Sequence, residues 1–299
     1  NFDQYVLITN NTRPTASLLY VQTGAGSSNV TVNITENFGI GRFGFQLSGN
    51  NINADVYNNY GGGTYYGNSQ AAYAGGRIYV YDNKNYSYHY MSMNMEDMNL
   101  TIYNNEMYVY GSQLVYLNAM HWLRSNVTFH SNTMELRYLY YYYYPTFQMN
   151  YFYSTLRSSL NMIGNTIRGS RAIETSYTSS YASQYDLDST WLLRNNTFES
   201  VGCACSNVVQ VSTSLNINHD GSNYYAPWTG FSFNLYNEKL QHEFHINNSF
   251  TTMGTVTIMG YADHPKIVFH NVTTTSQLVI NGGNANGGQF QIQNSSGSP

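Results

Sequence analysis

The side chains able to do chemistry are few, and their spacing limits what each could do. Asp186-Leu-Asp188 is the closest carboxylate pair and Glu96-Asp97 the next. Paired carboxylates could share a calcium ion or divide general-acid and general-base roles. Arg168 and Arg171 could supply a base or anchor an acidic sugar. His242-Glu-Phe-His245 has metal-like spacing, but strand positions i and i+3 face opposite ways, so the two imidazoles would diverge. Cys203-Ala-Cys205 places two thiols on one strand face. Their Cα atoms would lie about 6.5 Å apart, at the edge of disulfide reach. Small buried core residues are the expectation there, with an interchain bridge second. No Gly-rich loop precedes a helix, so nucleotide binding has no support. The acidic residues are scattered over the whole chain, and no catalytic residue, metal or cofactor is expected.

Asparagine offers a different chemistry. Asn-x-Ser/Thr acceptors for N-glycans stand at Asn10, Asn29, Asn33, Asn85, Asn99, Asn126, Asn195, Asn247, Asn271 and Asn294. Asn29, Asn99 and Asn126 share the form Asn-apolar-Thr-apolar, and the last two are 27 residues apart. That spacing predicts a row of sugars on one face. Tyrosine is the other abundant group. Arg137–Pro145 encloses a tyrosine-dense run, and Tyr81, Tyr108 and Tyr138 recur at intervals of 27 and 30. Exposed tyrosine rows could stack on sugar rings or on another copy of the chain, or form ladders within one molecule.

Composition narrows the classes further. Charged residues are only 9% of the chain, with 12 Lys plus Arg against 16 Asp plus Glu. No basic face could neutralise a run of phosphates, which excludes nucleic-acid binding. The polarity is instead uncharged, carried by 39 asparagines and 31 tyrosines. A hydrophobic share of 42% is too high for a disordered chain. No apolar run is long enough to span a membrane as a helix. Asn1 opens onto a strand-like run without a leader pattern, as in a mature chain or an excised piece.

Elements of period two must position these residues. Tyr5–Thr9, Val30–Ile34, Arg77–Tyr81, Leu100–Tyr103, Met107–Tyr110, Val127–His130 and Ile267–Phe269 read as short strands between Asn, Gly and Ser. Around Tyr86, Tyr88 and Tyr90 the opposite parity holds His89, Met91, Met93 and Met95. No amphipathic helix is found, so the chain is all-β.

One repeat recurs, apolar-x-apolar-x-x-Asn-x-apolar. It is centred on Asn105, Asn132, Asn165, Asn196 and Asn248, with steps of 27, 33, 31 and 52. A degenerate copy surrounds Asn271. A period near 27 with about three short strands is one turn of a parallel β-helix. Asn suits a corner needing left-handed backbone, and stacked corners let the amides bond along the axis.

With Asn195-Asn-Thr-Phe198 and Gly164-Asn-Thr-Ile167, the chain resembles the right-handed parallel β-helix proteins, the pectate-lyase-like group. The resemblance is clear over residues 95–275 and rests on composition elsewhere. It implies a single right-handed solenoid over 1–293, of roughly eight to ten rungs, with 294–299 a tail or linker. The Asn-Thr-Asp, Asp-Asp, Gly-His-Gly and Arg-Ile-Lys set of the polygalacturonases is not matched, and Gly-His-Gly is absent. Asn58–Gly76, Thr175–Ser189 and Asn216–Gly230 break the register and are expected to be projecting loops. The expectation is therefore an extracellular, N-glycosylated, non-enzymatic surface protein that forms homo-oligomers or filaments and resembles eukaryotic β-helix surface proteins. A glycan-binding or polysaccharide-degrading β-helix, or an adhesin or tailspike-like module, is the alternative.

Overall fold

The computed structural model describes the chain except for residues 1–2, 13–17, 25, 48, 68–72, 87–88, 93, 110–114, 138–144, 177–188, 201–208, 214–215, 221–222, 227–230, 236–242, 248–255, 261–265, 271–277, 283–288 and 294–299. Among the described residues every regular element is a strand, and every strand pairing is parallel. Successive turns lie one above another, so the fold is a parallel β-solenoid with three faces.

The first face begins with β1 (Gln4–Thr9), β3 (Ser28–Thr35), β5 (Gly49–Tyr57) and β7 (Tyr73–Tyr81). It continues through β10 (Met95–Tyr103), β13 (Asn126–His130), β16 (Ser159–Ile163) and β19 (Thr190–Arg194). Its last members are β22 (Asn216–Asp220), β25 (Glu243–Asn247), β27 (Lys266–His270) and β29 (Gln289–Gln293). That stack holds more strands than the eight to ten rungs expected, because the stretches discounted as insertions contain strands of their own.

The second face runs through β2 (Leu18–Gln22), β4 (Phe38–Gln46), β6 (Tyr60–Gly67), β9 (His89–Ser92), β12 (Val115–Leu123) and β15 (Pro145–Leu156). It goes on through β18 (Arg171–Ser176), β21 (Val209–Thr213), β24 (Phe231–Leu235), β26 (Val256–Gly260) and β28 (Leu278–Gly282). The third face is built of shorter pieces: β8 (Lys84–Asn85), β11 (Glu106–Val109), β14 (Thr133–Leu136), β17 (Thr166–Gly169), β20 (Thr197–Ser200) and β23 (Tyr224–Ala226).

Two of the expected loops are therefore largely sheet. Residues 58–76 supply β6 and the start of β7, and 216–230 supply β22 and β23. Glycine weakens a strand's propensity, but parallel neighbours on both sides hold Gly61 in register, and Gly63 pairs with Arg42. Most of 175–189 lies outside the described residues.

Alternation explains the core. On the first face one inward column is Val32, Ala54, Ile78, Leu100, Val127, Leu160, Trp191 and Ile217. A second is Ile34, Val56, Val80, Ile102, Phe129, Met162 and Leu193, and both columns are buried throughout. Each side chain packs on its counterparts above and below, so the core is one continuous apolar rod.

Candidate functional site

The positions with specific chemistry form columns parallel to the axis. The best-defined is an amide ladder at the corner between the first and third faces. Asn11, Asn37, Asn59, Asn83, Asn105, Asn132, Asn165 and Asn196 each donate from Nδ2 to the Oδ1 of the next member, ending on Asn223, at 2.8–3.0 Å. The backbone N–H of each donor residue reaches the same oxygen at 3.0–3.1 Å. The second Nδ2 hydrogen goes to a backbone carbonyl of the preceding turn, as from Asn105 to Val80 and from Asn165 to Phe129. A column of buried amides is thus almost fully satisfied, which is the condition for placing polar groups inside a sheet structure.

The structure brings Asn105, Asn132, Asn165 and Asn196 together as the sequence pattern expects, while Asn248 lies outside the described residues. Their conformational role differs from the expectation. The left-handed residue at each corner is the one before the ladder asparagine: Asn10, Glu36, Asn58, Asp82, Asn104, Ser131, Gly164 and Asn195, with φ between 53° and 64°. The ladder residue itself turns its amide inward. Asn11, Asn37, Asn59, Asn83 and Asn223 were missed by the register search. Among the first four, ladder steps of 22–26 residues fall short of 27. Asn223 follows polar His219 and Asp220, which hide the apolar spacing. The signal that finds the first four is simpler, an apolar residue three positions before an asparagine: Ile8, Ile34, Val56 and Val80.

A second buried ladder, of serines, lies at the opposite end of the first face. Met98 N–H donates to Ser125 Oγ, Ser125 N–H to Ser158 Oγ and Ser158 N–H to Ser189 Oγ, each at 3.2 Å. Left-handed Asp97, Arg124 and Arg157 precede the first three of these residues. The recurring serine just before a strand was the available signal.

The glycan acceptors separate by burial. Asn99 and Asn126 are exposed and adjacent in one outward column, with Asn126 Nδ2 donating to Asn99 Oδ1 at 3.1 Å. Asn10 and Asn195 are exposed at left-handed corners. Asn29 and Asn33 are half-buried, accepting from Asn51 and donating to the Tyr5 hydroxyl respectively. Asn85 differs from these in burial. It is 1% exposed and faces the core from β8, above Met107, where a sugar has no room. Asn247 ends β25, its side chain outside the described set, and Asn271 and Asn294 also lie outside it.

Aromatic rings form two ladders. Tyr57, Tyr81, Tyr103 and His130 stack face to face with centroids 4.8–4.9 Å apart and planes within 7°. Tyr60, Tyr86 and Tyr108 form the other. Tyr81 and Tyr108, 27 residues apart, belong to different faces and different ladders, and residues 138–144 lie outside the described residues. In the first ladder the ring faces cover one another, leaving only edges for a sugar. Partial burial lowers the His130 pKa and raises those of Tyr81 and Tyr103.

Charged groups also pair from turn to turn. Arg124 holds Asp97 at 2.7 Å and Glu96 at 2.6 Å, keeping the Asp97 carboxyl below its usual range. Lys84 holds Glu106 at 2.6 Å. Arg168 reaches Glu135 at 3.5 Å and Glu199 at 3.1 Å, whereas Arg171 pairs with Glu174 within its own strand. The candidate acids and bases at 96, 97, 168 and 171 are therefore ion-pair partners on separate faces. Asp186, Asp188, Cys203, Cys205 and His242 lie outside the described residues, as does the His245 side chain. Among the described residues no three His, Cys, Asp or Glu side chains converge as a metal site would require. The chain matches no protein-family model and no curated protein sequence.

Proposed function

We propose that the chain is a non-enzymatic structural protein of the extracellular surface, N-glycosylated, which stacks end to end into a filament such as a flagellar hair. The right-handed, pectate-lyase-like surface proteins are the group this reading places it beside. The observation that carries it is the direction of the chemistry. The amide and serine ladders, the stacked rings and the ion pairs of Arg124, Lys84 and Arg168 bind the turn above or below, and a row of this kind can be continued by a further turn. Among the described residues strand β1 pairs with β3 alone, and its inward Val6 and Ile8 are only partly covered. An unpaired parallel edge with incompletely buried apolar groups templates another strand. A second copy's last turn meets that requirement, and such a head-to-tail contact does not close on itself. Sugars at Asn99 and Asn126 would occupy one flank and keep filaments from bundling.

The test is sedimentation velocity with electron microscopy on the full chain secreted from a glycosylating host. Rods that lengthen with concentration are expected, and Val6→Pro, which removes a backbone donor from β1, should shorten them. A monomer at every concentration would overturn the reading.

A further inference from the structure

The solenoid interior is apolar apart from the ladders and a few further residues, and one turn departs from the pattern. Running from β8 through β9 into β10, it turns Asn85, His89, Met91, Met95 and Met98 inward, all at most 1% exposed. Met107 stands one turn on, paired in register with Asn85. The parity is that of the sequence, in which His89, Met91 and Met95 occupy alternate positions of one strand-like run. An apolar residue would fill the place of His89 without the cost of burying an imidazole.

We propose that His89 and Met91 are the principal ligands of a buried site for a soft monovalent cation, Cu(I) or Ag(I), with Met95 and Met107 the thioethers placed to complete it. Neighbouring inward residues of a strand lie about 6.6 Å apart, twice the strand rise, and both side chains are long enough to meet at an ion between them. Thioether and neutral imidazole are soft donors that select monovalent copper-group ions over hard cations. Charge points the same way. Among the described buried residues there is no Asp, Glu, Lys or Arg, so a divalent ion would bring two uncompensated charges and a monovalent ion only one. The Asn85 Oδ1, buried without a hydrogen bond four residues before His89, adds a carbonyl dipole to that interior.

Silver(I) nitrate is the probe, because Ag(I) needs no reductant. It is titrated in chloride-free buffer at pH 7 into the full chain carrying Cys203→Ser and Cys205→Ser, which removes competing thiols. Calorimetry should give one ion per chain, with a rise in Tm as the ion is added. Met91→Leu, which conserves volume and keeps the fold, should weaken binding at least tenfold. Met162→Leu, equally buried on the first face, should leave it unchanged. Absence of saturable binding, parental affinity in Met91→Leu, or equal weakening in Met162→Leu would each overturn the proposal.

Discussion

Asn165 shows what one ladder residue does. Its Oδ1 accepts from the Asn132 N–H and Nδ2 at 3.1 and 2.9 Å, and its own Nδ2 serves Phe129 O and Asn196 Oδ1. Asn165→Leu fills similar space but leaves those buried partners unsatisfied, for an expected loss of about 3 kcal/mol. Gly164→Ala imposes left-handed strain of only about 1–2 kcal/mol, since an added Cβ would meet nothing nearer than Ser131 Oγ at 3.9 Å. Urea midpoints of the two variants should rank them in that order, and the reverse order would reassign the corner's stability to its dihedral. His89 makes a second residue-scale prediction. Its folded pKa of about 3 lies below the unfolded value of 6.5, so the unfolded chain takes up the proton first. The stability is full above pH 6.5 and is lost as pH falls through the window from 6.5 to 3, by about 3 kcal/mol at pH 4. Denaturant titrations at pH 7, 5 and 4 should show this slope, and His89→Leu should flatten it. The lowered carboxyls of Asp97 and Glu106 act in the same direction but only in more acid solution.

At the scale of the element, the third face has short strands joined by an alternating column: Tyr108, Glu135, Arg168 and Glu199. Arg137 lies 3.7 Å over the Tyr108 ring and 3.3 Å from Glu135. These groups are partly exposed, so each pair contributes little, but a reversal aligns three like charges. Arg168→Glu should cost about 1 kcal/mol and make the chain more stable in high salt than in low. Adding Glu199→Arg, which restores one opposite-charge contact and keeps Arg137 on Glu135, should recover part of the loss in the same thermal melts. Strands of this kind were legible where alternation was strong, as at Leu100–Tyr103 and Val127–His130. They were not legible where glycine or tyrosine stood in the outward positions, as in β6, because such strands take their order from neighbours rather than from propensity. The ladder was legible in Asn105, Asn132, Asn165 and Asn196 because each follows two inward apolar residues in a steady period. The serine ladder and the turn around His89 were not, since single residue types at long separation become a pattern only once the register is known.

Over the whole molecule, the outer surface divides into flanks. Asn99 and Asn126 share a flank, and the threonines of their acceptor motifs, Thr101 and Thr128, stand in the next outward column. A peptide map of chain secreted by a glycosylating host should find sugar at these two positions and bare amide at Asn85. Modified Asn85 would mean that β8 is turned outward in the secreted protein. The amide ladder carries one more consequence. Each ladder bond runs from an Nδ2 to the Oδ1 on its C-terminal side, from Asn11 onward to Asn223. Side-chain amides are dipoles like the peptide unit, at about 3.5 D each, and here they add head to tail while hydrogen-bonded neighbours polarise one another. The solenoid is therefore an electric vector, negative at the β1 end, and in a pulsed field its solutions should become birefringent. Filaments made of such vectors in series would turn along an applied field as single long dipoles.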